Sequence, residues 1–338
     1  MTKFLTIAAP LALAIFAPAG AAEPGPIYRV TASIPGPDAG GWDYARVDPA
    51  AHRLYVARSG SVTVIDTSRE AAIGSIGSIA HGHAVVPLAG HRLLVTSGDD
   101  ATVRFLAAGD GRELGRVTVG RKPDAAILSA DGHTAFVMNA QAGTISVIDV
   151  TTLKTVRTVT VKPALEYAAL TPAGILFVNN EDANEMDVID IASGTTARPI
   201  PMPGCEAPTG LAYDAGNDRL IAACANGKAA IVSAKRRSLT ELVGIGAGPD
   251  AVILDAKRRL AFVPCGKDGV LDILSLDGLH VERVGSVKTA IGARTGALDA
   301  DAGAIYLPTA SFDPPVTVGG RPLVKPGTFR VLVVRPVG

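Results

Sequence analysis

A short apolar strand pattern returns seven times along the chain, at residues 54–57, 93–96, 135–138, 176–179, 220–223, 261–264 and 305–308. Measured at its second residue, the intervals are 39, 42, 41, 44, 41 and 44. A unit of this length made of strands and turns is the signature of a propeller blade, because one such sheet cannot bury its apolar faces without neighbours stacked on both sides. The expected fold class is therefore all-β, a seven-bladed β-propeller of four-stranded blades.

The third repeat gives the reading of each blade: strand A over 125–128, a turn over 130–133, strand B over 135–138, strand C over 144–149 and strand D over 156–161. Strand C ends on Asp66, Asp149 and Asp190 in three repeats, each followed by Thr or Ser. That chemistry suits turn capping better than catalysis, since a carboxylate at such a position accepts from backbone amides two or three residues on. The two chain ends complement each other. Residues 28–34 resemble a strand D but precede the first strand A, whereas the last repeat reaches strand C at 329–334 and stops. The N-terminal strand is expected to complete the last blade and so remove an exposed sheet edge.

Ahead of the repeats, Lys3, an apolar run over 5–16 and the small residues Ala19, Gly20 and Ala21 read as a secretory signal peptide spanning residues 1–22. A charged start, a short apolar run and a small-residue cleavage site define such a segment. The expected product is one domain over 23–338, exported to a bacterial periplasm, with no membrane span in the mature chain; an uncleaved anchor is the alternative. No cysteine sits at the cleavage site to suggest a lipoprotein. Lys plus Arg and Asp plus Glu are equal at 32 each, so there is no basic footprint for nucleic acid, and none is expected as a partner. Gly 37 and Pro 23 are scattered as turn punctuation, with no linker that would divide the body.

Three segments carry a family resemblance: Gly120-Arg121-Lys122-Pro123-Asp124, residues 131–139 (DGHTAFVMN) and residues 143–149 (GTISVID), the first echoed by Gly246-Ala247-Gly248-Pro249-Asp250. They resemble the YVTN (YncE-like) β-propeller repeat over essentially the whole mature chain. Repeat two lacks the Pro-Asp opening and repeat seven carries an insertion. The resemblance implies a seven-bladed, usually extracytoplasmic propeller, in a family with relatives among redox enzymes. It names no activity. The only Trp-Asp pair, Trp42-Asp43, opens a strand A and does not close a strand C, which disfavours a WD repeat.

Loops joining D to the next A, and B to C, lie on one face of a propeller, the face where ligands usually sit. The residues just before or at the start of strand A are Asp43, His83, Asp124, Glu166 with its neighbours Leu165 and Tyr167, Thr209, Asp250 and Arg294. Carboxylates and a histidine around one axis suit a cation or a polar small molecule. The competing reading is repeat consensus, each Asp bonding a nearby amide, and it is favoured by the two Pro-Asp pairs that belong to the consensus. His81-Gly82-His83 replaces that opening in repeat two; the two histidines could supply two ligands but alone do not make a metal signature, and a polar loop is the favoured reading of the segment. His52, His91 and His133 fall in A–B turns on the opposite face, and His280 has no evident partner.

Cys224 and Cys265 occupy equivalent positions in neighbouring repeats, which puts them roughly 8–10 Å apart, too far for a disulfide. Cys205, in the loop that leads into the blade of Cys224, makes Cys205–Cys224 the better pair and leaves Cys265 free. Buried free thiols, or a soft-metal site with His81 or His83, are the alternatives. There is no Cys-x-x-Cys-His haem-attachment motif. The insertion at 308–327 belongs to the same face; Phe312, Asp313, Arg321 and Lys325 either reach over the channel mouth or form a mobile tail. With no nucleophile–base set or dinucleotide fingerprint, the expected function is noncatalytic binding of a small molecule or protein partner on this face. The alternative is an enzyme, either a metal-dependent hydrolase, lactonase or lyase, or a subunit of a periplasmic oxidoreductase system. Catalytic residues, bound metal and cofactor are left unassigned.

Overall fold

The computed structural model describes residues 1, 27–38, 40–314 and 323–337. Residues 2–22 of the expected signal peptide, and Arg321, lie outside the described residues. Seven antiparallel four-stranded sheets form the blades of a ring, and no α-helix occurs among the described residues. The fold is a seven-bladed β-propeller.

Strands A follow in order: Trp42–Asp48, Gly82–Leu88, Pro123–Leu128, Leu165–Leu170, Pro208–Asp214, Ile253–Asp255 and Ala297–Asp299. Each pairs with its strand B, and B pairs with C. Strands B are buried on both faces, and Arg219–Cys224, Leu260–Cys265 and Ala304–Thr309 have every residue buried. Period-two alternation is lost in those strands because each sheet packs against two neighbours. Strands D lie at the rim and recover the alternation, as Ala71–Ile76 shows by switching between exposed and half-buried at every step. Blade four departs from the pattern. Its outer edge is broken into Thr195–Thr196 and Ile200–Pro201, both paired with Glu185–Asp190, and prolines at 199 and 201 remove ladder donors there.

The ring is closed by the N-terminal strand. Tyr28–Pro35 pairs antiparallel with Arg330–Pro336, from Tyr28 opposite Pro336 to Pro35 opposite Arg330. Blade seven is thus built from both ends of the chain. Tyr28 packs edge-on against Phe262 of blade six at 4.9 Å, so the closing strand is also held by the neighbouring blade.

The strand C aspartates cap turns. Asp66 Oδ1 accepts from the amides of Ser68 and Arg69 and from the Ser68 hydroxyl, which lowers its carboxyl to about 2. Asp149 accepts from Thr151 and Thr152, and Asp190 from Ser193. His52, His91 and His133 are exposed turn residues, the first two with φ of 51° and 55°. His280 does have a partner: its Nδ1 lies 3.2 Å from Glu241 Oε2. That contact joins the rims of blades five and six, 39 residues apart in sequence, so one repeat viewed alone could not reveal it. In the seventh-blade insertion, Phe312–Asp313 pairs with Leu323–Val324, and Phe312 packs beside Trp42 at 6.0 Å. The aromatic ring is therefore spent on packing against blade one.

Candidate functional site

A β-bulge at the same place in successive blades builds the site. In blades one to five the A–B register slips between Trp42 and Ala45, Gly82 and Val85, Pro123 and Ala126, Leu165 and Ala168, and Pro208 and Leu211. The residue after the first paired position is Asp43, His83, Asp124, Glu166 or Thr209. A bulge adds one residue opposite a single partner and re-aims a side chain, here at the mouth of the central channel. Asp250 and Arg294 occupy the corresponding place in blades six and seven. The register selects Glu166 over its neighbours Leu165 and Tyr167.

Three donors from three blades meet. His83 Nδ1 lies 2.9 Å from Asp43 Oδ2 and 3.6 Å from Asp124 Oδ1, and one ligand atom from each residue lies within 4.8 Å of the others. The imidazole is confined by Gly98, where a Cβ would come 2.9 Å from His83 Nε2. Lys122 places its ammonium 3.3 Å from Asp124 Oδ2. Arg294 Nε donates to Asp250 Oδ2 at 2.7 Å, and its Nη2 donates to the Trp42 carbonyl at 3.3 Å, which locks blade seven to blade one. Tyr44 OH donates to Glu166 Oε2 at 3.5 Å across the channel.

Two predicted members do other work. The Thr209 hydroxyl donates to the Pro249 carbonyl at 3.1 Å and so ties blade five to blade six. Thr96 and Thr295 make equivalent links to the carbonyls of Asp124 and Asp43. His81 stands outside the cluster, stacked on His83 with ring centres 4.7 Å apart and its Nδ1 3.5 Å from Asp99. Its φ of 62° is the left-handed conformation that the tight D–A turn requires.

Four carboxyls, two fixed cations and one histidine share this mouth. Burial is the largest influence on Asp43 and Asp124 and raises both; the neighbouring carboxylates add to it, while His83, and for Asp124 also Lys122, work against it. Asp250 is raised by burial against the pull of Arg294. Glu166 is pushed well above the ordinary range by burial and then by Asp124 and Asp250. For His83 burial alone would disfavour the charged ring, but the Asp43 hydrogen bond and the field of Asp124 outweigh it and leave the imidazolium favoured. An added cation relieves this crowding of negative charge. One nitrogen and two carboxylate oxygens suit a borderline divalent ion such as zinc or manganese.

Below the ring, the channel is crossed by an aromatic layer. Tyr44 and Tyr167 lie with ring centres 4.9 Å apart, and the Arg46 guanidinium sits 5.5 Å from the Tyr167 ring centre while donating to its hydroxyl. Sequence reading missed Lys122, Tyr44 and Arg46. Lys122 was visible in the Gly-Arg-Lys-Pro-Asp opening. Tyr44 and Arg46 needed the register carried further down strand A.

Cys224 and Cys265 lie opposite Pro208 and Pro249, the residues just before Thr209 and Asp250, and so on the candidate face. Cys205 and Cys224 are joined as a disulfide with a Cα–Cα distance of 5.3 Å. Cys265 is buried and free; its thiol is pushed up to about 12, first by burial and then by Asp272, which makes it a poor nucleophile.

No protein-family model matches this chain, and no curated protein matches it by sequence. Among solved structures, a chain of Kuenenia stuttgartiensis hydrazine synthase has a TM-score of 0.70 at 18% identity, over 80% of this chain and 93% of that one. The similarity is one of fold. No helix among the described residues is long and apolar enough to cross a membrane.

Proposed function

We propose that this chain is an exported, noncatalytic binding propeller of the YVTN (YncE-like) type that captures a small cation at the D–A/B–C face. The observation that carries the reading is the convergence of Asp43, His83 and Asp124 from three successive blades. Asp43 and Asp124 supply charge, His83 supplies a nitrogen donor, and Lys122 and Arg294 hold two of the surrounding carboxylates in place. Export to the periplasm and loss of residues 1–22 rest on the charged and apolar N-terminal pattern; N-terminal sequencing of the exported protein checks both. A mature chain that still begins at Met1 would remove this part of the reading.

Titration of the chelator-treated chain with zinc or manganese tests the cation site. Saturable binding and a raised melting temperature are expected, both lost in Asp124→Asn. No heat and no thermal shift with either ion would mean that His83 serves as an imidazolium pinning blades one to three together.

The enzymatic reading uses the same cluster and is favoured by Glu166. A buried carboxyl whose pKa is raised well above the ordinary carboxylate range is a candidate general acid beside a metal-held nucleophile. Turnover of lactones or esters by the metal-loaded protein, lost in Glu166→Gln with metal affinity retained, would replace binding with catalysis. The oxidoreductase-subunit version draws on similarity of fold with a hydrazine synthase chain, and co-purification with a redox partner is its test.

A further inference from the structure

The channel has a second, differently built end. From the aromatic layer towards the A–B turns, a cavity of about 470 Å³ opens between strands A of six blades. Its walls include Val47, Ile127, Leu170, Leu211, Ile253 and Leu298. Several of these, Val47, Ile127, Leu170 and Leu298, are only half-buried, an unusual exposure for aliphatic side chains in an otherwise closely packed ring. None of Asp43, His83, Asp124, Glu166, Thr209, Asp250 or Arg294 lines it.

Arg46 is the charged side chain of this cavity. It pairs with Tyr55 in the A–B ladder, and the residues in the same ladder position of the other blades are Val86, Ile127, Ala169, Ala212, Ile253 and Ala297. Six apolar residues and one arginine share a single ring around the axis. Among the described residues no carboxylate lies within ion-pair distance of the guanidinium, whose polar contact is the Tyr167 hydroxyl. Burial lowers its pKa, the sign of a cation held in poor solvent. By contrast Arg219 and Arg259 pair with Asp214, Arg258 pairs with Asp255, and the fully buried Arg58, which has no acid, donates to the carbonyls of Pro37, Gly40 and Gly41 and to the Thr63 hydroxyl. An unpaired, half-buried guanidinium among aliphatic side chains costs stability that an anionic partner restores.

We propose that this cavity binds a small organic monocarboxylate with an apolar body, its carboxylate on Arg46 and its hydrocarbon against the aliphatic wall. The volume falls within the range of small-molecule sites, and apolar walls with one or two convergent polar groups are their usual construction. The planar guanidinium matches a carboxylate in a two-point fork. A polyphosphate or sugar phosphate is disfavoured, since beside one cation and three tyrosines the walls offer only apolar side chains. The Tyr167 hydroxyl orients Arg46 and stands beside the bound carboxylate. This site is independent of the cation site at the other mouth.

Calorimetric titration of the full, metal-free chain with octanoate and with 3-phenylpropanoate tests the proposal. Saturable one-to-one binding is expected for at least one of them. Arg46→Met should weaken it at least about tenfold, and Arg46→Lys should weaken it less, because a lysine keeps the charge without the fork. Leu128→Trp adds bulk to the same wall and leaves Arg46 in place; it should also reduce binding, and it keeps the test decisive if Arg46→Met fails to fold. Absence of saturable binding by both probes overturns the proposal. Equal binding of octanol would reduce the site to an apolar hole, and equal binding of inorganic phosphate would remove the role of the hydrocarbon; either result refutes it.

Discussion

The two ends of the channel are made by the same seven strands, yet their chemistry is opposite. At the D–A end, the starts of strand A bring four carboxyls, a histidine and two cations from six blades to one mouth; two or three residues further along, the strands present aliphatic side chains and one arginine. The difference lies in where the chain is free to vary. At the start of strand A the ladder is interrupted, so the side chain is aimed by a bulge and can be polar without breaking a sheet. Beyond the bulge the ladder is regular and the ladder position of Arg46 is apolar in the six other blades, so a charge there is an exception that asks for a reason. The Tyr44 and Tyr167 layer separates the two environments.

The largest effect comes from breaking both ends together. Deleting the strand Tyr28–Pro35 removes the pairing that closes blade seven and bares the edge of Arg330–Pro336. The truncated protein is expected to aggregate and to lose both the cation and the carboxylate sites. A monomeric deletion variant of unchanged melting temperature would show that closure is dispensable.

Separating the ends is next in size. Asp43→Asn combined with Asp124→Asn should weaken zinc or manganese binding by about a hundredfold or more, beyond the loss typical of an outer hydrogen-bond partner. Octanoate binding should be untouched, and Arg46→Met should give the reverse pattern. If either variant impairs both ligands equally, the channel is one site.

The disulfide bears on one end only. Cys205 and Cys224, at a sequence separation of 19, enclose strands A and B of blade five. Replacing both with serine should cost about 3 kcal/mol in the chain-entropy picture, read as a lower urea midpoint. Carboxylate affinity measured on the folded fraction should be retained.

The smallest expected effect is in pH dependence. Asp43, Asp124, Glu166 and Asp250 have raised carboxyl pKa values in the fold, and so has His83. A group raised on folding contributes stability that is complete below its unfolded value and is lost as pH rises through the folded value. For the carboxyls the loss starts near pH 4, and for His83 near pH 6.5, so melting temperature should be higher at pH 5 than at pH 8. Glu166→Gln should flatten this slope by removing one of the most strongly raised groups. A melting temperature that rises steadily to pH 8, with the same slope in Glu166→Gln, would show that these carboxyls are not desolvated as described.

Particular residues show why some of this was readable. Tyr55, Leu94, Phe136, Phe177, Ile221, Phe262 and Tyr306 recur at near-constant spacing because each is a strand B residue wedged between two blades, where neither shape nor polarity can vary much. That spacing also carried Asp43, His83, Asp124, Asp250 and Arg294 to one face. It could not tell that the Thr209 hydroxyl is spent on the Pro249 carbonyl, that His81 lies outside the cluster, or that His280 meets Glu241. Those are contacts between repeats, and a one-repeat register contains no distances across them.

The sequence by itself determined the number of blades, the turn-capping aspartates, the closing strand and the face that bears the polar residues, because each follows from local periodicity or from the chain ends. Only the tertiary structure decided that Asp43, His83 and Asp124 meet, that Lys122 and Arg294 each hold a carboxylate, and that among the described residues Arg46 has no acid beside it. The physical reason is that pairing is set by how neighbouring blades rotate past one another around the axis, and electrostatic energy depends on those few ångströms.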